Sequence, residues 1–458
     1  MQVGLLGHAS LLVESHGISC VVDPVFFDPF EEGAVMSCPK RVVHLERLPK
    51  IDVLVVSHRH PDHFDIPSLA RLSRDCTAVC PADPLVIYAL QKLGFAKINP
   101  VEQMVPIRFG ELTLFPTRCE APEVREFGMV FGDDRGVFWN QVDTFLSPET
   151  ITVVLEEFGH IDLLFAMYAS QNFEFFESRA KTFPAASHKN NLETVLRINP
   201  TMVAPGAAGF RFYGAHEWVN AFLFPISRER FAADLKRLAP DLRCQIMNPG
   251  DVFEISDGTV QHHPGASEVT VMVEEDTGLI RFDPTAPVPR LMDPNPDGHL
   301  LAVLKSVTDG FITQDFARYA QGGPEEGDQV LPRYREHGVK YSVDVIFPDQ
   351  STMAYDLDFG EKPPRLAMGN YRRAESDMVH HIAASALVGW IEHKKSFFYV
   401  RAYSRRHSTL FSRSRQGHDV LLESVQLPDL LMHFLLNRAA GSELATKHQV
   451  DSILRGLS

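Results

Sequence analysis

Cysteine is scarce and scattered. The 458 residues hold six cysteines, and no two stand in a CxxC pair. Iron–sulfur clusters and four-cysteine zinc sites need grouped thiolates, so neither is expected. Isolated thiols in a long chain fit a reducing cytoplasm better than a disulfide framework. Basic charge is short as well: 44 Lys and Arg stand against 59 Asp and Glu, a formal charge of −15. Phosphate backbones call for a basic surface, so a nucleic-acid partner is not expected. No apolar run is long enough to cross a bilayer. The opening MQVGLLGHASLLVE has no basic n-region and no cleavage site, so no signal peptide and no membrane partner are expected, and the localisation is read as cytoplasmic. No GxGxxG follows a strand, which argues against a bound flavin or nicotinamide.

What is present is an ordinary globular composition, 45% hydrophobic and 22% charged, in a chain long enough for two domains. Residues 2–14 read as a strand, followed past Gly17 by the apolar run 18–22. Further strands are expected at 53–56, 77–80, 111–115, 162–167 and 202–204. A hairpin is expected around the turn 132–136. Helices are expected at 67–72, 148–158 and 189–197, and a closing hairpin at 247–262. Strands come first and then alternate with helices, the pattern of two sheets with helices on their outer faces. Residues 281–298 are dense in proline and loop formers. The expected division is therefore a catalytic domain at 1–265, a connecting segment at 266–300 and a C-terminal α+β domain at 301–458. In that last part the sequence predicts a strand at 341–347, a helix at 376–390, a strand at 396–403 and a helix at 427–439.

The densest chemistry lies at Ser57–Asp65, SHRHPDHFD, behind the buried run 51–56. Alternate residues of a strand share a face, so His58 and His60 leave the strand end together and can hold one cation. Asp62 and His63 follow the Pro61 turn and point to a second cation nearby. Asp143, after the expected strand 137–139, is placed to bridge the two.

These residues carry a resemblance. GHAS at 7–10, VVDPVF at 21–26, SHRHPDHFD and the strand leading to Asp143 resemble the metallo-β-lactamase superfamily over about residues 1–265. That implies an α/β fold, an αββα sandwich with a dinuclear site at one edge of its sheets. GAAGFRFYGAHE at 206–217 resembles the corresponding segment of CMP-sialic acid hydroxylase proteins, although their Rieske motif is missing here.

Hydrolases of the superfamily place a metal-binding histidine between the cluster and the bridging aspartate. Here no histidine stands between His63 and Asp143. Glu120, or less readily Cys119, is expected to fill the place. A carboxylate is a harder donor than imidazole and favours iron over zinc. This resembles the non-heme diiron branch of the superfamily, monooxygenases of antibiotic biosynthesis. They act on a diterpenoid acyl-CoA in the platensimycin pathway and on a carrier-bound aminoacyl group in the chloramphenicol pathway. The resemblance implies two Fe ions, O2 and electrons from a separate reductase. The expected substrate is a bulky acyl group, on CoA in preference to a carrier protein. Two Zn ions in a hydrolase of an ester, thioester, lactone or phosphodiester form the alternative.

The last histidine ligand is expected to be His216, with His188 competing. His8 is read as a supporting residue or a strand end. Residues 330–458 resemble sterol-carrier-like α/β domains, which would suit an apolar acyl substrate. A homodimer is a further expectation.

Overall fold

The computed structural model describes residues 1–120, 124–169, 183–322, 328–368, 376–408, 427–437 and 440–456. The chain divides into two compact units. The first takes Met1–Gln171, Phe183–Asp283 and Gln449–Ser458; the second includes Pro284–His448.

In the first unit an eight-stranded sheet runs in the order Thr259–His263, Val252–Ser256, Gln2–Gly7, Ser10–Ser15, Ile18–Val22, Val53–Val55, Thr77–Cys80, Lys97–Pro100. A seven-stranded sheet runs Arg243–Cys244, Met202–Gly206, Leu163–Met167, Val137–Asn140, Phe127–Gly132, Leu112–Arg118, Ile107–Phe109. Side-chain alternation sorts each strand between two cores. Val53 and Val55 face inward and join Leu114, Phe131, Phe138 and Phe165 of the other sheet. Leu54 and Val56 face outward and pack with Leu69 and Leu90, on the helices Ile66–Leu69 and Pro84–Leu93. On the second sheet, Trp139, Leu164 and Val203 pack outward against the helices Pro148–Phe158, Ala185–Ile198 and Arg228–Leu238. The layers are helix, sheet, sheet, helix.

Each sheet has a parallel half. Ile18–Val22, Val53–Val55, Thr77–Cys80 and Lys97–Pro100 run parallel, as do Val137–Asn140, Leu163–Met167, Met202–Gly206 and Arg243–Cys244. The loops at the carboxyl ends of parallel strands are where open α/β sheets carry their sites. The histidine cluster and Asp143 both lie on such loops.

The second unit holds a five-stranded sheet in the order Arg365–Met368, Thr352–Asp358, Lys340–Ile346, Met378–Ala383, Ser404–Ser408. Only the pair Lys340–Ile346 and Met378–Ala383 is parallel. Its core is aromatic, with Phe316, Tyr334, Tyr341, Phe347 and Tyr355 buried.

Several expectations are corrected. Residues 2–14 form two strands, because Gly7 and His8 turn the chain at φ 135° and 49°. The segment 376–390 is a strand, Met378–Ala383, that passes into the helix Ala384–Ile391. A strand bonded on both sides and covered on both faces reads as one apolar run, which its sequence cannot distinguish from a buried helix. The segment 396–403 is a helix, Phe397–Ala402, because Ser396 caps it by accepting from the Tyr399 N–H. The helix expected at 427–439 spans Leu430–Asn437, with the expected end at 438–439 outside the described residues, and an unanticipated helix, Ala440–Leu454, follows. The helix Pro84–Leu93 was not anticipated, although Asp83 caps its start and Gly94, at φ 95°, its end. Residues 266–300 are not a single connection. Thr270–Glu274 pairs with Lys40–Val43 in the first unit, and Leu291 is buried in the second.

Candidate metal centre

The cluster begins where Val53–Val55 ends. Asp23, at the end of the neighbouring strand, donates its N–H to the Val55 carbonyl, which brings the two strand ends together. Its carboxylate is fully buried and accepts from the Ser57 N–H at 2.7 Å and the Ser57 hydroxyl at 2.6 Å. His63 Nδ1 donates to the same carboxylate at 2.9 Å. His58 Nδ1 lies 2.9 Å from Ser57 Oγ. Both rings therefore carry their proton on Nδ1 and turn Nε2 toward the cluster, the way metal-binding imidazoles are held. Past His60 the chain makes one helical turn, with the His63 and Phe64 N–H groups donating to the His60 carbonyl at 3.0 and 2.8 Å. Asp65 then caps the helix Ile66–Leu69.

The ligand-type atoms converge. His58 Nε2 and His60 Nδ1 are 2.8 Å apart. His63 Nε2 lies 3.6 Å from Asp62 Oδ2 and 3.4 Å from Asp143 Oδ2. Asp143 reaches across from the second sheet on a tight loop. Gln141 Nε2 donates to the Thr144 carbonyl, Thr144 donates its hydroxyl back to the Gln141 carbonyl, and Val142 sits at φ 55°.

Protonation follows from these contacts. Burial, then the neighbouring His63 and His60, push the His58 pKa well below its ordinary value. Burial would lower His63 too, but Asp62 and Asp143 outweigh it and hold its pKa well above the ordinary value. Burial would raise the Asp62 carboxyl; His63 and His8 overcome that and hold it well down. A proton on His63 thus stands where a cation would. His63 Nε2 is buried and has no hydrogen bond among the described residues. An orphaned imidazole nitrogen between two carboxylates, beside two further imidazoles, fits a divalent cation pair.

Sequence reading thus finds His58, His60, Asp62, His63 and Asp143, and the structure brings all five together. It does not bring Glu120. That side chain is exposed, and its carboxylate accepts from the Thr150 hydroxyl at 2.8 Å at the start of the helix Pro148–Phe158. Bonds from Ser147 and Thr150 hold its pKa down. A helix N-terminus attracts a carboxylate, and here it draws Glu120 away from the cluster. Cys119 is buried and donates its thiol to Glu126 at 2.7 Å. His188 is buried on the helix Ala185–Ile198 and pairs with Asp234 at 2.9 Å. His216 is buried in the short turn Gly214–Val219. Among the described residues, neither histidine falls in a group able to share a cation.

One contributor, Asp23, went unread. His8, read as a supporting residue or a strand end, also reaches the cluster: its Nε2 lies 3.1 Å from Asp62 Oδ2. His8, Asp62 and His63 form one ligand group; His58, His63 and Asp143 form a second.

Residues 20–198 match the family described as Beta-lactamase superfamily domain. The fold is that of the metallo-β-lactamases. A Mycobacterium tuberculosis protein named as a Rieske 2Fe-2S iron-sulfur protein is 29% identical over 180 residues, 37% of this chain and 34% of that one. The Streptomyces venezuelae 4-amino-L-phenylalanyl-[peptidyl-carrier-protein] 3-hydroxylase is 27% identical over 176 residues, 35% of this chain and 32% of that one. The chain thus spans about a third of the length of these curated relatives. Among solved structures, an isothiocyanate hydrolase from Delia radicum gut bacteria aligns with 56% of this chain and all of its own, at 14% identity and a TM-score of 0.43. Metallo-β-lactamase folds carry divalent metals, and this centre has the donors for them. No described helix is long and apolar enough to cross a membrane.

Proposed function

We propose that this chain is an O2-dependent diiron hydroxylase. The observation that carries the reading is the donor set: the carboxylates of Asp62 and Asp143 both reach the cluster, and no histidine stands between His63 and Asp143. Without an imidazole from that segment the centre is harder than a histidine-rich zinc site, which favours iron. The likeness to the S. venezuelae 3-hydroxylase supports the same reading over the part of the chain it covers.

His58 and His60 would hold one cation, Asp62 and His63 the other, with Asp143 between them. Bound iron would supply O2 activation, fed by electrons from a separate reductase. The protein's part is orientation. Asp23 and Ser57 fix the tautomers of His63 and His58, and the Gln141–Thr144 loop fixes Asp143.

Beside the centre lies a narrow cleft bordered by His8, lined by Leu5, Phe165, Phe224, Ile226 and Met247 together with Arg228 and Glu229. An acyl-CoA remains the preferred form of the substrate on the likeness to the hydroxylase branch.

One observation favours the alternative, a dinuclear zinc hydrolase: the outward placement of Glu120. Elemental analysis of the protein as isolated, with turnover compared under O2 and under nitrogen, decides between them. Iron with O2-dependent hydroxylation of an acyl-CoA is expected. Zinc with undiminished thioester or ester cleavage under nitrogen would overturn the proposal.

A further inference from the structure

We propose that His8 is a metal ligand, standing in for the last histidine of the fold. The inference rests on the two-cation reading and concerns which residue completes the second cation.

His8 is the first of two residues that turn the hairpin between Gln2–Gly7 and Ser10–Ser15. A histidine there is locally unfavourable. Its φ of 49° lies in the left-handed region, where glycine or asparagine fits such a turn better. Strain of this kind persists where the surroundings impose it, and it gathers at functional sites. The ring is buried between Phe30 and Phe210, at centroid distances of 6.1 and 5.1 Å. Its Nε2 faces the cluster, 3.1 Å from Asp62 Oδ2, and is the nitrogen that would bind.

The spacing is that of a coordination shell. His8 Nε2 lies 3.1 Å from Asp62 Oδ2, which lies 3.6 Å from His63 Nε2, which lies 3.4 Å from Asp143 Oδ2. Ligands about 2.1 Å from a shared ion stand about 3.0 Å apart in an octahedron and about 3.4 Å apart in a tetrahedron.

The structure also gives a reason why the loop after Met202–Gly206, where the last histidine is sought in this fold, does not supply one. That loop is occupied by its own packing. A Cβ on Gly206 would meet the Phe165 ring at 2.3 Å. A Cβ on Gly209 would meet the His8 backbone at 3.0 Å. The loop lies flat against the hairpin turn, and the imidazole comes from the turn.

The test is cobalt(II) titration of metal-free protein, followed by visible absorption and by elemental analysis after gel filtration. The native protein should take up two ions per chain; uptake of fewer would remove the two-cation reading and this inference with it. His8→Gly relaxes the turn but empties the space between Phe30 and Phe210, so His8→Gln, which keeps that space largely filled, is tested beside it. His8→Gly should retain one ion while the affinity for the second falls more than 100-fold. Supporting residues around a metal typically cost only about 10–100-fold. His8→Gln keeps a donor for Asp62 but offers no imidazole, and should lose the second ion as well. Two ions bound at native affinity by either variant would overturn the assignment. So would a loss of only about 10–100-fold in His8→Gln, the range of a supporting residue.

Discussion

Asp23 contacts neither cation position directly, yet two of the imidazoles depend on it. It accepts a hydrogen bond from His63 directly and from Ser57, whose hydroxyl oxygen in turn accepts from His58. Asp23→Asn should therefore leave the fold largely intact and weaken metal binding by about 10–100-fold. Competition with a chelator measures this, and unaltered affinity would contradict the tautomer assignment. Glu120 makes the opposite case. Because its carboxylate rests on a helix N-terminus at the surface, Glu120→Gln should leave metal content unchanged and cost less than about 1 kcal/mol of stability. Loss of one ion in that variant would restore Glu120 to the centre. Residue by residue, the five candidate ligands in SHRHPDHFD and at Asp143 were legible because strand alternation and a single turn bring four of them together. Asp23 was not read, and His8 only as a supporting residue or strand end, because their proximity comes from strand pairing across the sheet, and local spacing carries no record of that. VVDP, an aspartate closing a buried strand, was the available hint for the first; a histidine after glycine at a turn was the hint for the second.

At the level of elements, misreadings fell where tertiary bonding overrides local pattern. Met378–Ala383 lies between two partner strands, so its unbroken apolar character reflects burial on both faces. Phe397–Ala402 is aromatic enough to pass for a strand, yet one serine cap sets it as a helix. Ser396→Ala should cost about 1 kcal/mol, seen as a lower melting temperature. The strand Met202–Gly206 ends against the Phe165 ring so closely that Gly206→Ala should cost about 1–3 kcal/mol through overpacking. A neutral result from thermal melting would mean that the ring has room to move.

Across the whole molecule, the chain end belongs to the first unit although the second intervenes. Val450 is fully buried in the core beneath the helices Ile66–Leu69 and Pro84–Leu93. A chain ending at residue 448 should lose roughly 1.5–3 kcal/mol from the metal-binding unit for that side chain alone. Hydrogen exchange would locate the loss there; protection lost only in the second unit would refute it. The second unit has its own weak point in acid. Asp429 accepts from Tyr341 at 3.0 Å and lies 3.0 Å from His380. Burial would raise its carboxyl, but the net effect, with His380 foremost among the opposing groups, is a lowered pKa. A depressed carboxyl contributes stability above its ordinary range, and that contribution is lost as pH falls through the folded-state value. Asp429→Asn should flatten the acid limb of the second unit's stability profile while leaving the first unit's unchanged.

The centre's loops share a habit of backbone. His8, Asp23 and Val142 all take positive φ at 49°, 43° and 55°, and none is glycine. Each such residue carries a standing conformational penalty of about 1–3 kcal/mol. Each is also buried, and glycine at any of the three would relieve the backbone while removing a side chain from the loops that hold the ions. Backbone ease and the grip on the ions are thus set against each other in the same three residues.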